Sequence, residues 1–444
     1  MTTVLYSARV VCPMTGPPFD DGGVLVSGET IVAVGEATAL RPRADREQRV
    51  DGVLLPGLVN AHTHLELADA GWLAQPGPHH RWQDATDGLV STWTPEKWKH
   101  SARRGVLHAL RWGTTCVGDV VHNGAGVPAA ARAGLVGDSW VQITDVDIRE
   151  QDHVVAALRH TLGLPAPGRR LGIALSSTAR VGTGTLQTLA DLARSLQVPL
   201  HVHAAVDQAE VRAVWHGDGP LAERATLIGA QYEWVGIGTG FGPVRYLAEC
   251  GAIEAGNSIA HGVWVDDREA RRLAADHVSL VSCPRSEDRL QAGPVPLERY
   301  AGAGVRMALG TESLAAVPDM DPMAEASAWV ALARAQGIAL WPGPGGPVEL
   351  EEQAIRLLTC DGAAAMGWAG HSGVLAPGRR ADMAAIDVAT TAATAYRDLL
   401  TRGIGRQVLT VVAGVRRSWR ASGDAPWPRL DDGEQAEVVD GSPS

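Results

Sequence analysis

Two histidines one residue apart, His62 and His64, close the apolar stretch Pro56-Gly57-Leu58-Val59-Asn60-Ala61-His62-Thr63-His64. Side chains of an extended strand alternate faces, so both imidazoles point one way while Thr63 points the other. Two imidazoles on one face can grip one metal ion. A second pair, His201 and His203 in VPLHVHAA, repeats the spacing at the end of another apolar run. His261 follows NSIA, and Glu312 ends VRMALGTE. Taken singly, each is most simply a hydrogen-bonded core histidine or a solvated carboxylate. Their recurrence at the ends of successive apolar runs is what points to a metal: three or four N/O ligands with an open position describe a catalytic zinc site.

Such a site needs a scaffold that brings distant residues to one rim. From Leu58 onward, short apolar runs alternate with segments of helical period such as TLQTLADLARSLQ and DREARRLAADH. The runs at 57–64, 114–121, 135–145, 170–177, 198–205, 257–263, 278–284 and 305–312 supply the eight strands of a (β/α)8 TIM barrel, an α/β fold whose chemistry sits at the C-terminal strand ends. Residues 1–55 and 365–424 read as short strands punctuated by Gly, Pro and Asp, so a small composite β-sandwich built from both termini is expected beside a barrel spanning 56–364. The segment 425–444, rich in Pro, Asp, Glu and Gly, reads as a disordered tail.

Composition narrows the function classes. The 444 residues carry a formal net charge of −11 with no basic cluster, which argues against nucleic acid or an anionic membrane as partner. Five scattered cysteines fit reduced thiols, and MTTVLYSARVV lacks the pattern of an export signal, so a cytoplasmic protein is expected. Fourteen Trp stand against two Phe, and Trp72, Trp82, Trp93 and Trp98 crowd the long segment after the first strand with His79, His80 and Arg81. Indoles over the active face would line a binding site for a bulky, partly apolar ligand, or simply pack the loop onto the barrel. Trp264, just past His261, is a further candidate for the same wall.

The motifs PGLVNAHTHLELA, GTTCVGDVV, HVHAAVDQAEV, AHGVWVDDREARRLA, SCPRSEDRL, VRMALGTESLAA and GVLAPGRRADMAAIDV span nearly the whole chain. In them it resembles the amidohydrolase superfamily, in the branch of cytosine, guanine and aminofutalosine deaminases and triazine hydrolases. The resemblance implies a barrel with a terminal β-sandwich and one metal ion, usually Zn2+ and sometimes Fe2+. It implies His62, His64 and His203 as ligands, and His261 as the residue orienting water or substrate. His201 is the weaker fifth-strand candidate. Glu312 stands where the family has Asp; it keeps the charge and is assigned both ligand and base roles. Glu66, inside the motif, implies a substrate contact or a support for an imidazole. The family's acid/base Glu, three residues after the fifth-strand ligand, is Val206 here, with Asp207 and Glu210 the nearest replacements. Polar residues of the fourth and seventh strands that read a nucleobase are replaced by SSTAR and Ser282.

These losses favour metal-assisted cleavage of an amide or amidine C–N bond in a bulky, peptide-like or secondary-metabolite substrate, such as a peptide-tailoring amidohydrolase of the bottromycin type would take. Deamination of a purine-like heterocycle is the alternative, and a binding protein that has lost catalysis is a third reading. The expected partner is a small-molecule or modified-peptide substrate, not nucleic acid or a membrane, with a homodimer left open.

Overall fold

The strand that carries the first histidine pair, β1 (Leu58–Thr63), is buried at every position, as a parallel strand covered on both faces must be. The structure, a computed structural model, describes residues 2–343 and 345–419, so the tail expected at 425–444 lies outside the described residues. After β1 come β2 (Thr114–Val121), β3 (Gly137–Ile143), β4 (Arg169–Leu175), β5 (Leu200–Ala204), β6 (Ser258–His261), β7 (Ser279–Ser282) and β8 (Met307–Leu309). They pair in parallel and in chain order, forming one eight-stranded sheet with helices between the strands.

The eighth strand is shorter than its apolar run because its last residues cross over to the first strand. The backbone N–H groups of Thr311 and Glu312 both donate to the His62 carbonyl at 3.1 Å, and His64 N–H donates to the Glu312 carbonyl at 2.9 Å. Beneath them Asn60 Nδ2 donates to Thr311 Oγ1 at 2.7 Å, and Thr311 N–H returns a bond to Asn60 Oδ1 at 3.0 Å. The barrel therefore closes through the same residues that present the histidine pair and the carboxylate. Gly310 makes this closure sterically feasible, since a Cβ there would lie 2.7 Å from the Cβ and carbonyl oxygen of His62.

Both termini contribute to a separate seven-stranded sheet. Its order is Val415–Trp419, Gln407–Val412, Met383–Ile386, Arg46–Pro56, Thr3–Val11, Phe19–Ser27 and Thr30–Glu36. Arg46–Pro56 sits between the N-terminal and C-terminal strands and runs through Gly57 into β1. Val11, Val24, Leu54, Met383 and Leu409 form an apolar core in this sheet, distinct from the barrel core around Leu175, Val202, Ile259, Leu280 and Trp329. Between β1 and β2, helix α1 (His79–Val90) and helix α2 (Pro95–Arg111) form the long excursion that carries the tryptophans. Thr94 caps α2 by accepting from Lys97 N–H, with Pro95 at its first position. Among the described residues no helix is long and apolar enough to cross a membrane.

Overpacking at the closure seam is expected to be costly. Gly310→Ala should lower the unfolding free energy by about 1–3 kcal/mol, measurable by denaturant titration, whereas a similar change at the open surface position Gly302 should have little effect.

Candidate metal centre

His62, His64, His203 and Glu312 each offer one donor atom, and these atoms all lie within 4.8 Å of one another in a buried setting. Glu312 Oε2 is 2.8 Å from His62 Nε2, and Glu312 Oε1 is 3.3 Å from His64 Nε2. His203 Nε2 stands 3.3 Å from His64 Nε2. Partners behind the ring set the orientation of His203: its Nδ1–H donates to the Leu175 carbonyl at 2.9 Å, leaving the Nε2 lone pair facing the centre. His62 Nδ1 lies 2.7 Å from His201 Nε2, and His201 Nδ1 lies 2.7 Å from Ser258 Oγ. That chain of bonds can run in either direction. Metal binding requires the one in which His62 donates, so that its Nε2 also presents a lone pair. His201 therefore sits behind His62 rather than at the centre, stacked on Trp140 with ring centroids 4.3 Å apart.

The surroundings suit a cation. Glu312 Oε1 is buried without a hydrogen-bond partner, and an orphaned carboxylate oxygen amid imidazole nitrogens is the kind of group a cation would satisfy. The donor set, three nitrogens and one carboxylate, is of the kind zinc takes. Burial, the dominant cause, holds His203 and His122 down to about 4, so both imidazoles stay neutral at physiological pH.

His261 faces the same carboxylate, its Nε2 3.6 Å from Glu312 Oε2. Glu287 stands behind it, with Oε1 3.4 Å from His261 Nδ1. Burial raises the Glu287 carboxyl to about 8, against the Cys283 N–H and Ser282 hydroxyl that donate to it. His261 and Glu312 both have positive φ, 72° and 59°, a costly conformation for residues with a Cβ. Both bends lie where a strand turns its last side chain across the rim.

The other candidates are placed differently. Glu66 is fully buried; its Oε2 accepts the N–H groups of His122 and Asn123 at 2.7 and 2.8 Å, and its Oε1 accepts Gly126 N–H at 2.8 Å. With its acceptor sites taken by the loop after β2, it anchors that loop and is withdrawn from the substrate-binding set. Trp264 is also withdrawn. Its indole N–H donates to the Ala292 carbonyl at 2.8 Å, and the ring lines an outer groove with Val265, Asp266 and Pro294. Trp72 is 65% exposed at the end of a 3-10 turn, too solvated to wall the centre. Trp82 does lie near the rim, its Nε1 bonded to the Ala315 carbonyl at 2.7 Å and its ring 5.7 Å from that of His79. Asp207 and Glu210 are both engaged in loop bonds; Glu210 takes Val206 N–H, Thr178 N–H and the hydroxyls of Ser177 and Thr178.

Two site residues were not singled out from sequence. His122, just past β2, packs 5.2 Å from His64 and under Trp98 at 6.0 Å, and accepts from Gln142 Nε2 at 3.1 Å. Its signal was present, a histidine immediately after TTCVGDVV. Glu287 had no such signal, because only the short helix Pro284–Arg289 brings it back under His261.

His62→Ala or His203→Ala should abolish stoichiometric metal while far-UV circular dichroism stays near that of the parent. The pH dependence follows from burial of neutral imidazoles. Folded pKa values are depressed below the ordinary 6.5, so the associated stability is full above about 6.5 and is lost as pH falls toward 4. Metal-free protein should therefore unfold at lower denaturant at pH 5 than at pH 7.

Comparison with known proteins gives a consistent assignment. The amidohydrolase family profile matches residues 53–417. Aminodeoxyfutalosine deaminase of Deinococcus radiodurans is 32% identical over 337 residues, covering 70% of this chain and 76% of that protein. A 5-methylthioadenosine/S-adenosylhomocysteine deaminase of Natronomonas pharaonis is 29% identical over 391 residues, 85% of this chain and 83% of its own. Among solved structures, a zinc-bound adenosine deaminase of Xanthomonas campestris superposes with a TM-score of 0.77 at 22% identity, covering 99% of this chain and 96% of that one. A triazine hydrolase of Arthrobacter aurescens does so with a TM-score of 0.76 at 20% identity, covering 94% and 95%. With the profile spanning most of its length and one rim gathering its histidines, the chain belongs to the amidohydrolase family, a divergent member with a (β/α)8 barrel and a terminal β-sheet.

Proposed function

We propose that this amidohydrolase is a zinc-dependent deaminase that releases ammonia from an adenosine-like compound. The observation that carries the proposal is the meeting of His62, His64, His203 and Glu312 at one buried point beside His261. Relatives named as deaminases of aminodeoxyfutalosine, 5-methylthioadenosine and S-adenosylhomocysteine support a purine-type substrate over the peptide-like or secondary-metabolite substrate that the sequence alone favours.

Zinc held by these four residues would make a water acidic enough to ionise near pH 7 and would polarise the carbon under attack. Glu312 Oε1, buried and without a partner, is placed to take a proton from the attacking water and return it to the leaving nitrogen. His261, backed by Glu287, presents Nε2 toward the same carboxylate and can steady oxygen as charge builds on it. Trp82, half-buried near the rim with its ring beside that of His79, is the indole that would meet a flat base.

A second reading, hydrolysis of an amide or amidine, is favoured by Val206, which cannot protonate a ring nitrogen. It needs only the one proton that Glu312 moves.

The test is ammonia release by zinc-loaded protein from adenosine, 5′-methylthioadenosine and S-adenosylhomocysteine. Turnover on at least one is expected, falling by about 100-fold or more in Glu312→Gln. Stoichiometric zinc with no ammonia from any of the three would remove the deaminase reading and leave amide hydrolysis to be assayed.

A further inference from the structure

His261 poses a bonding question that the ligand set His62, His64, His203 and Glu312 does not answer. Its ring is 2% exposed, yet neither Nδ1 nor Nε2 has a hydrogen-bond partner. Glu287 Oε1 comes within 3.4 Å of Nδ1, but that oxygen takes Cys283 N–H at 2.7 Å, and Glu287 Oε2 takes the Ser282 hydroxyl at 3.1 Å. Glu312 Oε2 is 3.6 Å from Nε2, beyond hydrogen-bond reach, and lies closer to His62 Nε2, at 2.8 Å. A buried imidazole with both nitrogens unpaired is costly, and a lone pair with no donor aimed at it is what a cation takes.

Cys283 completes a set around that ring. One donor atom from each of His261, Cys283 and Glu312 lies within 4.8 Å of the others, the limit that the first four ligands also meet, and all three residues are buried. Among the described residues, Cys283 is the cysteine that enters such a group. The three stand at the ends of consecutive strands: His261 closes β6, Cys283 follows β7 and Glu312 follows β8. Their spacing is fixed by the sheet, since Ser282 pairs with Leu309 and its carbonyl accepts Gly310 N–H at 3.0 Å. Nitrogen, sulfur and oxygen donors together suit zinc or cobalt rather than magnesium or calcium, which prefer oxygen alone.

Resting on the zinc centre of the reading above, we propose that His261, Cys283 and Glu312 form a second divalent-cation site that shares Glu312 with the first, and that excess zinc bound there inhibits the enzyme. A carboxylate has two oxygens and can serve two ions. As the metal–sulfur bond forms, the thiol proton leaves to solvent, and nothing is oxidised or reduced. Inhibition follows from what the ligands otherwise do. The His261 nitrogen that steadies oxygen and the Glu312 carboxylate that carries a proton are both drawn to the second ion. Zinc is thus required at one equivalent and harmful at two.

Cobalt(II) titration of metal-free protein tests the site without reference to a substrate. The parent should bind two equivalents, and a sulfur-to-cobalt charge-transfer band in the near-ultraviolet should rise with the second. Cys283→Ala and Cys283→Ser should each bind one equivalent and lack the band, with far-UV circular dichroism close to that of the parent. Should either variant fold poorly, the stoichiometry and band of the parent decide. One equivalent in the parent, or a band that survives in Cys283→Ala, would overturn the second site alone; no bound cobalt would remove the first centre and this one with it. In the ammonia assay, turnover relative to that at one equivalent of zinc should fall about 100-fold in the parent as more zinc is added, and hold within about threefold in Cys283→Ala. Equal loss in both proteins, or none in the parent, would overturn the inhibition. If the parent with one zinc releases no ammonia, the deaminase reading fails, and the cobalt result still decides the site.

Discussion

Barrel closure is the constraint from which the rest follows. The last strand can meet the first only if Glu312 and Thr311 bond the backbone of His62 and His64, and those bonds set the side chains of all three polar residues around one point. A rim built this way does not need long, flexible side chains to reach a common ion. It needs the eight strands in register, and the two-way bonding of Asn60 with Thr311 one layer below supplies that. Fold and site are thus one set of interactions, in which the ligand geometry is a by-product of completing the sheet.

A second layer of buried polar groups keeps that geometry from relaxing. Leu175, His201 and Ser258 orient two imidazoles, and Glu287 sits behind a third. Glu66 holds the loop after β2 by its main-chain N–H groups, and so holds His122 and the indole stacked on it. Each of these carboxylates is expensive to bury alone and is satisfied instead by backbone donors or an imidazole. The site is buried and crowded, which strengthens every electrostatic contact within it.

Much of this was legible in the residues. Period-two spacing in HTH and HVH placed two pairs of imidazoles on strand faces, and the eight apolar runs implied the barrel that joins them. What spacing could not show was depth. His201 and His203 share a strand face, yet one lies at the centre and the other a layer below it. Glu66 and Trp264 fell inside the motifs, but the direction of their side chains depended on loop backbone that no pattern of residue types encodes. Glu287 was invisible because its proximity to His261 arises from the short helix after β7. Substrate class was harder still: the absence of a familiar acid at Val206 weighed against deamination, whereas similarity along the chain favours it.

The terminal sheet has a consequence for biosynthesis. Arg46–Pro56, which leads straight into β1, is flanked on one side by Thr3–Val11 and on the other by Met383–Ile386. On a ribosome, the near partner emerges early and the far one only after the whole barrel has been translated. The nascent chain must therefore keep a half-covered strand, and the unsealed first stave beside it, waiting through most of elongation, exposed to pairing with strands of other chains.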